Sequence, residues 1–230
     1  MRLPLLISVP HAGRRIPPKV APICCLTPEQ ILKDGDEGAG SVYAIENLVE
    51  AFVTTDIPRA IVDVNRAEDD RRADGVVKTR TIFSEPVYTQ PPGEEVIESL
   101  LEHYYRPYHA RLRTMATKVV LGLDCHTMVA TAPTISADAG AVRPAICLSN
   151  ADGTCPEAWF ERLARELENA FEIAVSRNSP FKGGYIIRSH AVELPWMQLE
   201  LSRAPFLPIE EKHRRLVAAL TNWCAWHAEQ

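Results

Sequence analysis

Short apolar runs alternate along this chain with longer stretches in which apolar residues recur every three or four positions. The first pattern is typical of buried strands and the second of amphipathic helices. Strands are predicted at 3–9, 58–64, 119–125, 144–149, 172–177, 184–188 and 196–202. Helices are predicted after the capping box Thr27-Pro28-Glu29-Gln30, at 40–52, 94–118 and 208–228, and from the capping segment 154–157 to 171. This alternation predicts an α/β fold, with a mainly parallel or mixed sheet covered by helices on both faces.

The longest predicted helix, 94–118, contains Pro107, which predicts a kink because proline has no backbone N–H. The segment 67–92 before it is rich in charge, proline and turn residues and has no clean periodicity. We therefore expect a long functional or covering loop there. The chain shows neither an internal repeat nor a linker, so a single domain over residues 1–230 is expected.

Composition and charge narrow the class of partner. Apolar residues make up 46% of the chain and charged residues 24%, as in globular proteins. The net charge of −5 argues against a nucleic-acid-binding surface. A small anionic substrate remains compatible with it, because local arginines can make a positive pocket in an acidic protein.

The distribution of apolar residues and cysteines bears on location. No apolar stretch approaches the roughly 18 residues of a membrane span, and the short apolar run after Arg2 is unlike a signal peptide. The six cysteines include two neighbours and no C-x-x-C pair, which suits neither a zinc knuckle nor a disulfide framework. We expect reduced thiols in a cytoplasmic protein that does not bind membranes; the sequence does not indicate an oligomeric state.

Two predicted strands end in a histidine. The first runs into Pro10-His11-Ala12-Gly13, and the strand 119–125 runs into Asp124-Cys125-His126-Thr127. In an open α/β sheet, ligands bind beyond the carboxyl ends of the strands. Side chains alternate along a strand, so Asp124 shares a side with His126, whereas Cys125 faces the core. The histidines are candidates for metal binding or proton transfer; the alternative is ordinary hydrogen-bonded histidines in loops.

A third candidate ligand lies in the acidic loop Asp34-Gly35-Asp36-Glu37-Gly38. An EF-hand calcium loop is excluded, because that pattern needs a ligand at position 5 and a glutamate at position 12, where this chain has Gly38 and Ile45. Without further context, a solvated acidic turn is an equal alternative. Beside two histidines, one of these carboxylates can complete a zinc site with two histidines and one carboxylate, which leaves a position open for water.

Three further segments carry candidate binding or catalytic groups. Asn65 and Arg66 follow the predicted strand 58–64, where an arginine fork can bind a carboxylate; the alternative is a surface arginine paired with Asp69 or Asp70. Lys182-Gly183-Gly184 allows close backbone approach to a ligand, or forms a plain turn. Glu200 shares one face of the last predicted strand with Gln198 and Ser202. Any half-exposed strand shows such alternation, but the same arrangement can also bring a glutamate to a metal-bound water molecule.

The remaining five histidines are weaker candidates. His103 and His109 lie on the predicted long helix, and His213 and His227 lie on the last helix. We expect these four to be surface or hydrogen-bonded core histidines. His190, which follows the Gly-Gly segment, is a weak candidate for the pocket.

Together these segments resemble the N-formylglutamate amidohydrolase family. The matching motifs occur in the family's order and are Leu-Ile-Ser-Val-Pro-His11-Ala-Gly, Asp34-Gly-Asp36, Val-Asp63-Val-Asn65-Arg66, Arg106-Pro107-Tyr108-His109, Asp124-Cys-His126-Thr, Asn178-Ser-Pro-Phe181-Lys182-Gly183-Gly184-Tyr and Gln198-Leu-Glu200-Leu. They extend over about residues 3 to 203, nearly the whole chain.

The resemblance implies a three-layer α/β/α fold with a central mixed sheet, related to the zinc carboxypeptidases. It implies a zinc site at His11, Asp36 and His126, although Glu37 stands where the family often has tryptophan, so the carboxylate ligand is either Asp36 or Glu37. It further implies that Glu200 is the general base and that substrate is bound by Asn65, Arg66, Lys182, Gly183 and Gly184.

The function expected from this resemblance is zinc-dependent hydrolysis of an N-acyl amino acid, with N-formyl-L-glutamate as the best candidate. One alternative is a metallopeptidase or deacylase that uses the same groups on another small acyl-amino acid or peptide. A second is a non-catalytic carboxylate-binding protein. Metal content and formate release distinguish these possibilities.

Overall fold

A six-stranded mixed sheet forms the centre of the computed structural model, which describes residues 2–133 and 136–230. Its strands, numbered along the chain, are β1 (Leu3–Val9), β2 (Val49–Thr54), β3 (Leu121–Met128), β4 (Ile146–Ser149), β5 (Val175–Arg177) and β6 (Trp196–Ser202). Their spatial order is β2-β1-β3-β6-β4-β5. Neighbouring strands are parallel except for β4 and β6, which are antiparallel.

Helices cover both faces of this sheet. They are α1 (Pro28–Asp34), α2 (Ala39–Val42), α3 (Glu94–Leu100), α4 (Arg106–Ala116), α5 (Glu157–Phe171), α6 (Tyr185–Ser189) and α7 (Ile209–Ala228). Residues of α2, α5 and α7 share one core cluster with Leu5 and Ile7 of β1, whereas residues of α1, α3, α4 and α6 share the other with Leu6. The predicted three-layer α/β/α fold is confirmed. Among the described residues, no helix combines the length and the apolar character that a membrane crossing requires.

The capping box at the start of α1 forms as predicted. The Gln30 N–H donates to Thr27 Oγ1 at 3.2 Å, and the Thr27 N–H donates to Gln30 Oε1 at 2.8 Å. At the other end of the helix, the Asp36 N–H donates to the carbonyl of His11 at 3.0 Å. This short, capped helix therefore brings the acidic loop against the end of β1.

The predicted helix 94–118 forms from Glu94 to Ala116 with one irregular turn. Residues Leu101–Tyr105 are π-helical, and the Arg106 N–H donates to the carbonyl of Leu101, five residues back. This turn ends two residues before Pro107, which has no N–H to continue the regular ladder. The segment 67–92 forms no helix or strand, as expected.

Three predicted elements are wrong. The segment 40–52 is not one helix, because α2 ends at Val42 and the later part forms β2, in which buried and more exposed residues alternate. The run 58–64 is buried but turn-like, since the amides of Ile61 and Val62 bond back to the carbonyl of Pro58. Residues 184–188 mostly form the short helix α6. Short apolar runs do not separate a buried turn or helix from a strand.

The start of α5 also differs from the prediction. Thr154 does not cap the helix; its hydroxyl donates to the carbonyls of Asn150 and Trp196, each at 2.7 Å. The helix begins at Glu157, directly after Pro156. Thr154 instead ties the segment before α5 to the start of β6.

Candidate functional site

The carboxyl ends of three adjacent parallel strands meet at one edge of the sheet. His11 follows β1, His126 lies near the end of β3, and Glu200 of β6 is paired in register with His126. Cys125, between the two polar residues of β3, packs in the core as predicted. The alternation along β3 therefore delivers Asp124 and His126 to the side opposite Cys125.

His11, Asp36 and His126 form a buried cluster in which the potential ligand atoms lie within 4.8 Å of one another. Asp36 Oδ2 is 3.0 Å from Nδ1 of His126 and 3.6 Å from Nδ1 of His11. Glu37 is exposed, so of the two candidate carboxylates Asp36 is the one beside the histidines. Burial alone would raise the pKa of Asp36, but the adjacent His11 and His126 hold that pKa well below its usual range.

A second carboxylate holds the far nitrogen of each histidine. His11 Nε2 lies 2.9 Å from Asp63 Oδ1, and His126 Nε2 lies 2.8 Å from Asp124 Oδ2. Asp124 also accepts a hydrogen bond from Ser8 at 2.7 Å. Metal-binding histidines commonly donate their other N–H to a carboxylate, which fixes the tautomer and the orientation of the ring.

The donor set of this cluster fits a divalent metal. Nδ1 of His11 is buried and has no hydrogen-bond partner among the described residues. A ring whose Nε2–H donates to a carboxylate has an Nδ1 lone pair, and such an atom needs a partner when it is buried. Two imidazole nitrogens and one carboxylate, with a further position left open, form a catalytic zinc set.

Glu200 is positioned by Gln198 from the same face of β6. Gln198 Nε2 donates to Glu200 Oε1 at 3.0 Å, while Gln198 Oε1 accepts the Gly184 N–H at 2.6 Å. Burial, assisted by the nearby Asp36 charge, raises the pKa of Glu200 to about 7 against the lowering effects of His126, Arg59 and His11. A carboxyl group that titrates near neutral pH is suited to accept and return a proton.

The predicted substrate-binding residues reach the same cleft, whose volume is about 370 Å³. Asn65 is buried and spans the site: Nδ2 lies 3.3 Å from both Asp124 and His126, and Oδ1 accepts the Ile186 N–H at 2.8 Å. Gly184 lies so close to Asn65 that a Cβ there would overlap the Asn65 amide. The tight contact explains the requirement for glycine at this position.

Arg66 and Lys182 are less buried than Asn65. Arg66 is half-buried, and its Nε donates to the carbonyl of Asp74 at 3.1 Å, so the alternative pairing with Asp69 or Asp70 is wrong. Its own carbonyl accepts the Tyr105 hydroxyl at 2.8 Å. Lys182 is exposed where it lines the cleft, and Gly183 has a φ of +99°, a left-handed conformation that favours glycine.

Several charged groups of the site were missed from the sequence. Arg59 and Arg203 approach Asp36 Oδ1 at 3.5 and 3.6 Å, and Arg143 lines the cleft. Lys78 is fully buried, 3.4 Å from Asp34 and 3.7 Å from Asp63. Arg203 directly follows β6, and that position is a signal that could have identified it. Lys78 lies in the irregular segment 67–92, where the sequence offers no such signal.

His190 and His109 form a separate buried pair. His109 Nδ1 lies 2.8 Å from His190 Nε2, and His190 Nδ1 lies 3.1 Å from Glu193. The other nitrogen of His109 lies 3.0 Å from the carbonyl of Val64, directly before Asn65. His190 is therefore not among the residues that line the cleft, and His109 is a core histidine as expected.

The sheet with its helical layers, and a histidine–carboxylate cluster beside a buried glutamate, define a three-layer α/β/α protein with a hydrolase-like candidate metal centre. The family model described as N-formylglutamate amidohydrolase matches residues 3–207. The chain belongs to the N-formylglutamate amidohydrolase family.

Two relatives agree with this membership, and two solved structures share the fold. An N-formylglutamate deformylase of Pseudomonas putida is 28% identical over 257 residues, covering 97% of this chain and 94% of the relative. One of Pseudomonas aeruginosa is 28% identical over 225 residues, covering 90% and 83%. The crystal structure of an N-formylglutamate amidohydrolase from Ralstonia eutropha JMP134 has the same fold, with a TM-score of 0.83, 20% identity and coverage of 99% of this chain and 95% of that one. A gene product of Agrobacterium tumefaciens shares the fold at a TM-score of 0.74 and 17% identity, with coverage of 99% and 92%.

Proposed function

We propose that this protein is a metal-dependent amidohydrolase that converts N-formyl-L-glutamate and water to formate and L-glutamate. The observation that carries the proposal is the pairing of a buried His11–Asp36–His126 cluster with Glu200 at one end of an arginine-lined cleft. Family membership and the names of the two Pseudomonas relatives support the choice of substrate.

Zinc is the metal we infer, with His11, Asp36 and His126 as its ligands. When bound there, zinc supplies a Lewis acid for the formyl oxygen and lowers the pKa of the attacking water. The carboxylates of Asp63 and Asp124 keep the two rings in the tautomer that presents Nδ1. Ionised Asp36 supplies the negative charge that offsets part of the charge of a cation.

Glu200 is the proposed general base. It takes a proton from the attacking water as the C–O bond forms, and it returns that proton to the amide nitrogen as the C–N bond breaks. Its hydrogen bond from Gln198 orients the carboxylate, and its buried position keeps competing water away. Both roles require a group that exchanges protons near neutral pH, which the raised pKa of about 7 supports.

Asn65, Arg66 and the Lys182–Gly184 segment are the proposed substrate-binding groups. Arg66 offers a planar fork to a carboxylate, and the exposed ammonium of Lys182 adds positive charge. Asn65 aligns the site by contacting both Asp124 and His126. The free cysteines support a cytoplasmic enzyme as part of the proposal.

The test is an assay of the metal-replete protein with N-formyl-L-glutamate, N-acetyl-L-glutamate and a small dipeptide. We expect equimolar formate and glutamate from the first substrate, and loss of that release in Glu200→Gln. Faster cleavage of the acetyl compound or the dipeptide would instead identify a deacylase or metallopeptidase. Stoichiometric binding of N-formylglutamate without turnover by the wild type would identify a carboxylate-binding protein.

A further inference from the structure

Arg143 is a rigidly held cation on the wall of the cleft. It lies in the loop between β3 and β4, and its backbone N–H donates to the carbonyl of Ala130 at 2.8 Å. Nε and Nη2 donate to the two oxygens of Asp138 at 2.9 and 3.0 Å. The guanidinium lies 4.8 Å from the centroid of the Phe181 ring, and only 8% of the side chain is exposed. An arginine in this setting loses little further entropy when it binds a ligand.

Two of the other cations of the cleft are already engaged at the candidate metal centre. Arg59 and Arg203 each lie within 3.6 Å of Asp36. Arg203 also donates to the carbonyls of Lys33, Gly35 and Thr127. Such arginines position Asp36 rather than bind a second anion.

Three cations then remain for substrate. Lys182 is exposed and has a long flexible stem, so it is poorly suited to discriminate between carboxylate and amide. Arg66 has only a loose ion pair, with Nη2 3.9 Å from Asp74 Oδ2. Arg143 uses Nε and Nη2 for Asp138 but keeps Nη1 on the free side of its planar guanidinium. Among the described residues, Nη1 of Arg143 has no hydrogen-bond partner, which leaves its N–H groups available to a ligand.

The two arginines have different neighbours in the cleft. Arg66 directly follows Asn65, whose amide is 3.3 Å from His126. Arg143 contacts Asp138, Ser136 and Phe181, none of which belongs to the metal cluster. In N-formylglutamate the α-carboxylate is on the carbon bonded to the reacting nitrogen, whereas the side-chain carboxylate is separated from that carbon by two methylenes. Arg66, which is bonded to Asn65, therefore matches the α-carboxylate, and Arg143, whose contacts all lie outside the metal cluster, matches the side chain.

From this we infer that Arg143 is a specificity-determining residue that binds the side-chain carboxylate of the substrate and so selects an acidic over an amide side chain. The inference rests on the proposed function, because it takes the reacting amide to lie at the His11–Asp36–His126 cluster. Asp138 orients the guanidinium; the hydrogen bond from Arg143 lowers the pKa of Asp138, which keeps this partner ionised.

The test compares N-formyl-L-glutamate with N-formyl-L-glutamine, which differ only in the charge of the side chain. In Arg143→Gln we expect kcat/KM to fall by about 10- to 100-fold for the glutamate compound, the usual effect of losing a charged hydrogen bond, and by no more than about 2-fold for the glutamine compound. In Arg66→Gln the loss should be similar for both, because both keep the α-carboxylate. Arg165→Gln, which removes an exposed arginine from α5, is the matched charge control.

Folding and binding are checked separately. Thermal melting of Arg143→Gln shows whether the loop change destabilises the fold, and Arg143→Lys, which keeps the charge without the fork, should recover part of the discrimination. Calorimetry with L-glutamate and L-glutamine measures the same preference without turnover, and we expect wild type to favour glutamate and Arg143→Gln to lose that preference.

An equal loss of kcat/KM on both substrates, or unchanged discrimination in Arg143→Gln, would overturn the inference. Failure of the wild type to hydrolyse either formyl compound contradicts the proposed function instead. In that case the calorimetry still decides about Arg143: a wild type that does not prefer glutamate over glutamine overturns the inference as well.

Discussion

Each histidine of the buried cluster uses its two ring nitrogens differently. Nε2 is held by a carboxylate, Asp63 for His11 and Asp124 for His126, while Nδ1 faces Asp36. The carboxylates thus determine which atom of each ring is presented to a ligand. A change in a ligand and a change in its supporting carboxylate should consequently have different effects on metal affinity.

We expect purified protein to contain about one divalent ion per chain, and His11→Ala and His126→Ala to lose it. Asp63→Asn should keep the metal with an affinity lowered by about 10- to 100-fold, because it supports a ligand without being one. Metal analysis and competition with a chelator measure both quantities. His103→Ala, which changes an exposed histidine of the π-helical turn, is the control, and metal retention in both ligand variants would contradict the assignment.

Glu200→Gln should separate proton transfer from metal binding. The amide keeps the shape of the side chain but cannot accept the proton, so kcat should fall by about 10²- to 10⁴-fold with little change in KM. Metal content should be unchanged, since Glu200 is not one of the three clustered ligands. If the variant loses its metal, Glu200 is a ligand; if it remains active, the base is another group.

How far the sequence predicts the site depends on where each residue lies in the chain. His11, His126 and Glu200 lie at strand ends or on an alternating strand, where position alone indicates a common sheet edge. The sequence leaves Asp36 and Glu37 as alternatives, because adjacent loop carboxylates have no periodicity that distinguishes them, and only the structure shows Asp36 beside the histidines. Arg143 and Lys78 lie in irregular segments, so the fold alone brings them to the site.

At the scale of elements, the predictions succeed where a pattern is long or where both ends are marked. The helices near 94–116 and 209–228 form close to their predicted bounds. So do the first and the last strand along the chain, β1 and β6. The run 58–64 fails because its apolar residues are buried in a turn, within the core cluster that strands and helices share on this face of the sheet. An apolar run in the sequence predicts that its residues are buried, but it does not predict which elements they pack against.

The pairing of β3 with β6 depends on close packing at Gly122. A Cβ at this position would overlap the buried ring of Trp196, its register partner on β6. We expect Gly122→Ala to lower the free energy of unfolding by about 1–3 kcal/mol, the usual cost of overpacking. Urea unfolding measures this effect; Gly93→Ala, where a Cβ meets nothing within 4 Å, is the control and should change stability less.

The helix α4 carries a histidine whose titration opposes folding in acid. Burial, with a smaller contribution from His190, lowers the pKa of His109 from 6.5 to about 4. Between those pH values the unfolded chain binds a proton that the folded chain does not, so stability falls as the pH falls, by at most about 3 kcal/mol from this group. We expect His109→Gln to show a smaller loss of unfolding free energy between pH 6.5 and 4.5 than wild type. An identical slope in the two proteins would show that His109 titrates normally.

At the scale of the whole molecule, the candidate metal ligands join distant parts of the chain. His11 follows β1, Asp36 lies between α1 and α2, and His126 belongs to β3. A cation bound to all three stabilises only the folded state, in which these segments meet. The metal is therefore expected to contribute to folding as well as to catalysis.

Removal of the metal should lower the melting temperature. At a free metal concentration about 100 times Kd the stabilisation is about 2.7 kcal/mol, and for a chain of this size each kcal/mol shifts Tm by about 2–4 °C. Calorimetric scans with and without a chelator, followed by zinc addition, measure the shift. His126→Ala should show no such response, and a wild type with the same Tm in both conditions would contradict a structural contribution of the metal.

The two reversed strands of the sheet, β4 and β5, have a consequence for how selectivity can change. Because β4 runs against β6, it starts at the edge where β3 and β6 end, so the connection over residues 129–145 leaves and re-enters the sheet beside the cleft. This excursion carries Arg143 but none of the groups of the buried cluster. Because this connection lies between β3 and β4 and belongs to neither strand, its length and sequence can change without altering the residues that pair in the sheet. The residue inferred to select the substrate's side chain and the groups inferred to break the amide bond thus lie in separate stretches of polypeptide. Evolution or a protein engineer can therefore exchange the selecting segment without rebuilding the catalytic one.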